Sequence, residues 1–271
     1  TTNAASRINN DGASLLTIGT AGISNTGGLS LGVNGTGGIT VTGIISGANA
    51  STSNLIKDGT GTGKLILTTA NTFAGTTSIT TGVVQITNQD ALGSSSPGVT
   101  GFSTTTIGNG AALEINGATA LTIPEAINTN GSGVSSAGAF RLIAGAAATT
   151  LTGGITAQTA STINTDVTVG TNTLTISTGA VANAGGLTFG TASAGGITIS
   201  SVISGVGAIT KEGAGTGQLI LSGANSYTGI TTINAGVVKV QNNAALGNSA
   251  EAAKNTIVKT GAALQIDGAS L

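Results

Sequence analysis

The residues of this chain with the potential for chemistry are few, and each is judged by the partners its chemistry would need. Ser30 sits in Gly28-Leu29-Ser30-Leu31-Gly32, which matches the Gly-x-Ser-x-Gly elbow that exposes a serine nucleophile. Such a serine needs a base to take its proton, and the chain contains no His. The corresponding later stretch, Gly186-Leu187-Thr188-Phe189-Gly190, places Thr at the same point, as an ordinary strand would. Gly59-Thr60-Gly61-Thr62-Gly63-Lys64 has the glycines of a phosphate loop, but the spacing is one residue short. Leu65 stands where Ser or Thr should hold a metal, and Gln218 replaces Lys64 in the later copy. This segment reads as a glycine turn entering a strand.

A polysaccharide lyase or hydrolase would need clustered carboxylates with Arg or Lys beside them. Here charged residues make up 6% of the chain and are scattered singly. Lys57-Asp58 and Lys211-Glu212 are adjacent opposite charges at equivalent positions, which suggests a turn or salt link, since an active site usually occurs once. Arg141, in GAFRLIAG, is expected to pair with Glu125 or Glu114. Without Cys there is no disulfide and no thiolate metal site. The Gly-Gly pairs at 27–28, 37–38, 153–154, 185–186 and 195–196 lack the Asp of calcium-binding β-rolls. Thr104-Thr105-Thr106 and Thr76-Thr77 raise the idea of an ice-binding threonine ladder, but the repeat looks too long and irregular to supply Thr on every coil. The expectation is a protein that is not an enzyme, with no catalytic, cofactor-binding or metal residues.

Composition narrows the class further. The 271 residues include 46 Gly and only 2% aromatics, with a formal net charge of −1. Hydrophobic residues still reach 39%, and Pro occurs only at Pro97 and Pro124, so the chain has apolar surface to bury and does not read as disordered. No basic patch or aromatic platform is offered to nucleic acid. No apolar run approaches the ~18 residues of a membrane span, so no membrane insertion of this segment is expected.

A long internal repeat organises the chain. Residues 57–93, KDGTGTGKLILTTANTFAGTTSITTGVVQITNQDALG, align with residues 211–247, KEGAGTGQLILSGANSYTGITTINAGVVKVQNNAALG. The match extends to 29–41 with 187–199 upstream and to 110–118 with 261–269 downstream, and the offset drifts slightly at Gly/Ser/Asn-rich stretches such as 46–54. One continuous unit over 1–271 is expected, with copy one at 1–158 and an incomplete copy two at 159–271, cut from a longer array.

Within each copy apolar residues recur at period two, in runs of about five separated by Gly, Asn, Ser or Asp. Leu219 and Leu221 fall on one face, with Gln218, Ile220 and Ser222 on the other. Val84, Ile86, Val238 and Val240 are assigned to the core, and Gln85 and Lys239 to the outside. Few large aromatics and many small corner residues favour stacked coils over a sandwich or barrel. Coils of ~20–25 residues give roughly a dozen turns, a rod about 55–60 Å long at ~4.8 Å per turn. The fold predicted is all-β, a parallel β-helix built of tandem long repeats. Asn71 and Asn225 precede Phe73 and Tyr227, which either contact a partner or, as the favoured reading has it, make a turn and shield a corner.

The stretches 63–93 and 217–247 resemble the autotransporter-associated β-strand repeat, also called the passenger-associated transport repeat. The resemblance rests on a Gly-x-Leu-x-Leu strand, Gly-x-Asn-x-aromatic-x-Gly, a Thr-rich strand, Gly-x-Leu-x-Val and a closing Ala-Leu-Gly. The first copy departs with Thr69-Ala70 where the second has Gly223-Ala224. The structural positions that carry it are Leu65, Leu67, Asn71, Phe73, Gly75, Val84, Ile86, Leu92 and Gly93, with Leu219, Leu221, Asn225, Tyr227, Gly229, Val238, Val240, Leu246 and Gly247 in the second copy. The resemblance implies a right-handed parallel β-helix in a surface protein of a Gram-negative bacterium, extracellular or on the outer cell surface. The sparse charge of a Thr/Ser/Asn surface points to a non-catalytic fibre, stalk or coat, with an adhesin passenger as the alternative and a β-helix polysaccharide lyase or hydrolase as a further one. The partners expected are neighbouring copies, through self-association into fibres, with host or surface ligands as the alternative.

Overall fold

A computed structural model describes residues 5–93, 103–167, 172–191, 194–248 and 255–268. The chain winds into a β-solenoid of about ten turns in which every strand pairing is parallel. Among the described residues the only helical piece is a 3-10 turn at Val134–Ser136. Three strand faces form the wall. The first stacks Ser6–Asn10, Leu29–Val33, Leu55–Asp58, Thr77–Ile79, Thr104–Ile107, Ala126–Gly131, the start of Ile155–Thr165, Val181–Asn183 and Ile203–Ser204.

The second face stacks Leu16–Ile18, Ile39–Val41, Leu65–Leu67, Gly82–Ile86, Ala111–Ile115, Phe140–Leu142, the end of Ile155–Thr165, Leu187–Thr191, Ile209–Glu212, Thr231–Ile233 and Thr256–Val258. The third has an early group, Ile23–Ser24, Ile45–Gly47 and Thr72–Phe73, and a later run from Leu121–Ile123 through Thr149–Leu151, Leu174–Ile176, Ile197–Ile199, Leu219–Leu221 and Val237–Val240 to Ala263–Ile266. The rod is shorter than the dozen turns expected, because a turn takes about 25 residues, the top of the anticipated range; at ~4.8 Å per turn it is about 48 Å long.

Period-two alternation does the packing. In Leu65–Leu67, Leu219–Leu221 and Ile197–Ile199 the outer residues are buried and the middle one is partly exposed. The inward Leu, Ile, Val and Phe form one continuous cluster from Leu29 to Ala245. Each inward residue lies over its counterpart one turn below, so apolar columns run along the axis, each buried side chain contributing roughly 1.5–3 kcal/mol. Corners demand small residues where turns touch backbone to backbone. A Cβ on Gly75 would lie 2.5 Å from the Ser53 carbonyl carbon, and one on Gly229 would lie 2.2 Å from the Gly207 oxygen. Glycine at these points sets the spacing of the turns.

Candidate functional site

The repeated cassette is the part of the chain that most resembles a site, so its side chains are followed outward from the backbone. Strand alternation splits the adjacent charges that the sequence suggested would link. Lys57 and Lys211 point inward and are 0% exposed, while Asp58 and Glu212 point outward. The Lys57 ammonium donates to the carbonyls of Asp58 at 2.8 Å and Thr81 at 3.2 Å; the Lys211 ammonium donates to those of Glu212, Gly213 and Ala235. Each lysine therefore caps corner carbonyls from inside the solenoid. Room for the head group comes from Gly82 and Gly236, both at positive φ, where a Cβ would sit 3.0 Å from the ammonium nitrogen. Burial pushes both ammonium groups down from the ordinary lysine value, to about 8 for Lys211, with the neighbouring Asp58 or Glu212 pulling back. The outward acids find other partners: Asp58 pairs with Arg7, and Glu212 accepts from Asn234.

Asn71 and Asn225 each bridge turns above and below their own. The Asn71 Oδ1 accepts the Ile45 N–H at 2.8 Å and its Nδ2 donates to the Ala91 carbonyl at 2.6 Å. Asn225 repeats this with Ile203 at 2.8 Å and Ala245 at 2.5 Å. Phe73 and Tyr227 are fully buried, so neither aromatic offers itself to a partner. The Tyr227 hydroxyl lies 2.7 Å from Thr231 Oγ1, and burial pushes its pKa up to about 12; in the first copy Thr77 Oγ1 donates to the Leu92 carbonyl instead. Leu65, Leu67, Val84, Ile86, Leu92, Gly75 and Gly93 are buried, as are Leu219, Leu221, Val238 and Val240, while Gly229, Leu246 and Gly247 are half-buried.

Apart from the buried Glu125, the remaining described ionisable side chains lie on the outer surface. On the second face Gln85, Glu114, Arg141 and Asn164 stand in one row, a residue per turn. Glu114 takes Lys64 at 2.6 Å and Arg141 at 2.9 Å, and Arg141 also reaches Asp166. Gln85 points outward as read from the sequence, yet this network covers it. Of the two partners expected for Arg141, Glu114 is the one it finds; Glu125 is buried elsewhere. Ser30 lies within the strand Leu29–Val33 on the first face, and the glycine turn 59–63 leads into Leu65–Leu67. Threonine rows prove more regular than the repeat length suggested. Thr162, Thr188, Thr210 and Thr232 stack on the second face, and Thr122, Thr150, Thr175 and Thr198 on the third; Ile257 and Ile220 end them.

The two cassettes do not lie on the same faces. Leu55–Asp58 belongs to the first face and its equivalent Ile209–Glu212 to the second. Leu65–Leu67 lies on the second face and Leu219–Leu221 on the third. Six steps along the first face lead from Leu29–Val33 to Val181–Asn183, and Leu187–Thr191, the equivalent of Leu29–Val33, is the next strand on the adjoining face. One repeat is thus six turns and a third. The asparagine bridges and the lysine caps nonetheless recur in both copies, because they depend on the turns above and below and not on the face.

Among the described residues no group of three or more His, Cys, Asp or Glu could hold a metal, and no helix is long and apolar enough to cross a membrane. No curated protein and no solved structure matches the chain. A family model described as the passenger-associated-transport-repeat matches residues 55–86 and 209–240, the two cassettes with their inward lysine, asparagine and aromatic. Parallel β-solenoid and repeat together fit an autotransporter passenger domain, a surface or secreted setting, and the chain is one that carries two passenger-associated transport repeats.

Proposed function

We propose that this solenoid is a non-catalytic structural segment of an extracellular surface protein, a rigid spacer that self-associates laterally or end to end into a fibre or coat. One observation carries the reading: what the two cassettes share points inward. Leu55 and Ile209, Lys57 and Lys211, Leu65 and Leu219, Asn71 and Asn225, Phe73 and Tyr227, and Val84 and Val238 are matched and buried. Several outward neighbours differ, Ile56 against Thr210, Lys64 against Gln218, and Gln85 against Lys239, although the outward Ile66 and Ile220 are shared. A binding or catalytic repeat would keep its outer residues and let the core drift within size limits. Here the repeat specifies how turns stack. Sparse surface charge supports association, since a neutral Thr/Ser/Asn surface does little to resist it.

Electron microscopy of the native parent material tests this. Continuous filaments or sheets with a ~4.8 Å axial repeat and contacts between neighbouring rods are expected. Isolated rods projecting singly, together with binding of host cells or glycans by the native protein, would replace the fibre with an adhesin stalk.

A further inference from the structure

Glu125 follows Pro124 at the corner between Leu121–Ile123 and Ala126–Gly131, and it is 0% exposed. Both carboxyl oxygens lack a hydrogen-bond partner. The register of Thr104 on Ala126 and Thr105 on Ile127 sets Ser103 directly beneath Glu125, with Thr105 one inward position along. Ser103 Oγ and Thr105 Oγ1 are also buried and unpartnered. Three orphaned polar groups on adjoining inward positions form a polar cluster at this corner; in the column of Thr105 the next hydroxyl, on Thr77, is satisfied by the Leu92 carbonyl, and Leu55, Ile127 and Ile155 are apolar. Unsatisfied buried groups of this kind are rare in folded proteins and call for a role.

We propose that Glu125, with Ser103 and Thr105, is a proton-operated release point that lets the fifth and sixth turns open locally as pH rises. Inside the wall the carboxyl has neither a cation nor a donor from another residue, so it must be held as the neutral acid. Burial is the main cause that lifts its pKa to about 8; its own backbone N–H pulls back a little, and Asp90 pushes it further up. Asp90 is the charged group whose field raises it; the inward residues opposite, Ser103 and Thr105 below and Ile155 above, carry no charge. Opening delivers the carboxyl to water, where it ionises as an ordinary Glu. Between the ordinary value and about 8, each rise in pH therefore favours the open state, and above that the effect levels off.

Hydrogen exchange of the whole chain tests this, read as protection in residues 103–130 relative to 174–199 in the same sample. That ratio is expected to fall roughly tenfold per pH unit from about pH 5 to about pH 8 and then flatten. Glu125→Gln should make the ratio independent of pH. A wild-type ratio that does not change over this range, or a Glu125→Gln ratio that falls in parallel, overturns the proposal. Should Glu125→Gln fail to fold, Ser103→Ala with Thr105→Val supplies the second test. Removing the hydroxyls makes the pocket more apolar and should move the flattening to higher pH; an unmoved profile removes the two hydroxyls from the device.

Discussion

Asn225→Ala tests how the repeat holds its turns apart. In the native chain one side-chain oxygen satisfies the Ile203 N–H below and one side-chain nitrogen satisfies the Ala245 carbonyl above, at 4% exposure. Alanine removes both and leaves a buried donor and a buried acceptor without partners. Each such orphan costs about 1–3 kcal/mol, so the pair should cost about 2–6 kcal/mol. Because a solenoid turn contacts only its neighbours, the loss should stay local to the turns carrying Ile203, Asn225 and Ala245. Exchange at the Ile203 amide should rise by roughly one and a half to four orders of magnitude, while that at Ile45, held by Asn71, stays unchanged. Asn71→Ala should reverse the pattern. A uniform loss of protection along the rod, or a change at Ile203 below about threefold, would refute the bridging role.

Four further outcomes follow from neighbouring geometry. Tyr227→Phe should cost less than about 1 kcal/mol, because Thr77 in the first copy already shows how the partnered threonine finds a carbonyl instead; a thermal melt checks it. Lys211 has its folded pKa lowered to about 8, so its charged form penalises the fold below that pH and the penalty disappears as pH rises towards the unfolded value. Stability should climb by up to about 3 kcal/mol between pH 8 and 10.5 in wild type relative to Lys211→Met, measured by denaturant unfolding. Arg141→Ala frees Glu114 and Asp166 but leaves Lys64 on Glu114, so about 1–2 kcal/mol is expected, shrinking in high salt. Gly229→Val forces a side chain into the Gly207 carbonyl and should abolish exchange protection in the turns on either side.

Much of the wall was legible in the sequence because alternation is a strong constraint: Leu219, Ile220 and Leu221 each point where period two puts them. The inward lysines were not, since charge is normally an outward marker and what pays for their burial is backbone carbonyl that no pattern of side chains reveals. A Gly-x-positive-φ corner opposite, Gly82 or Gly236, was the available signal, but it shows only once the turns are stacked. Asn71 and Asn225 could be marked as turn residues, whereas their reach to the turns above and below depends on neighbours about 20–26 positions away. The turn count came out high for a similar reason: insert lengths between strands are local features, and the residues per turn emerge from their sum.

The third of a turn left over in each repeat bears on how such an array could grow. A duplicated segment need not contain a whole number of turns to rejoin the stack; it need only begin and end at a corner. The two phases seen here both seal the wall, because the buried lysine and asparagine find equivalent carbonyls and amides in each. Duplication in this architecture is tolerant of length, and each new copy turns its outer residues toward a fresh direction around the axis.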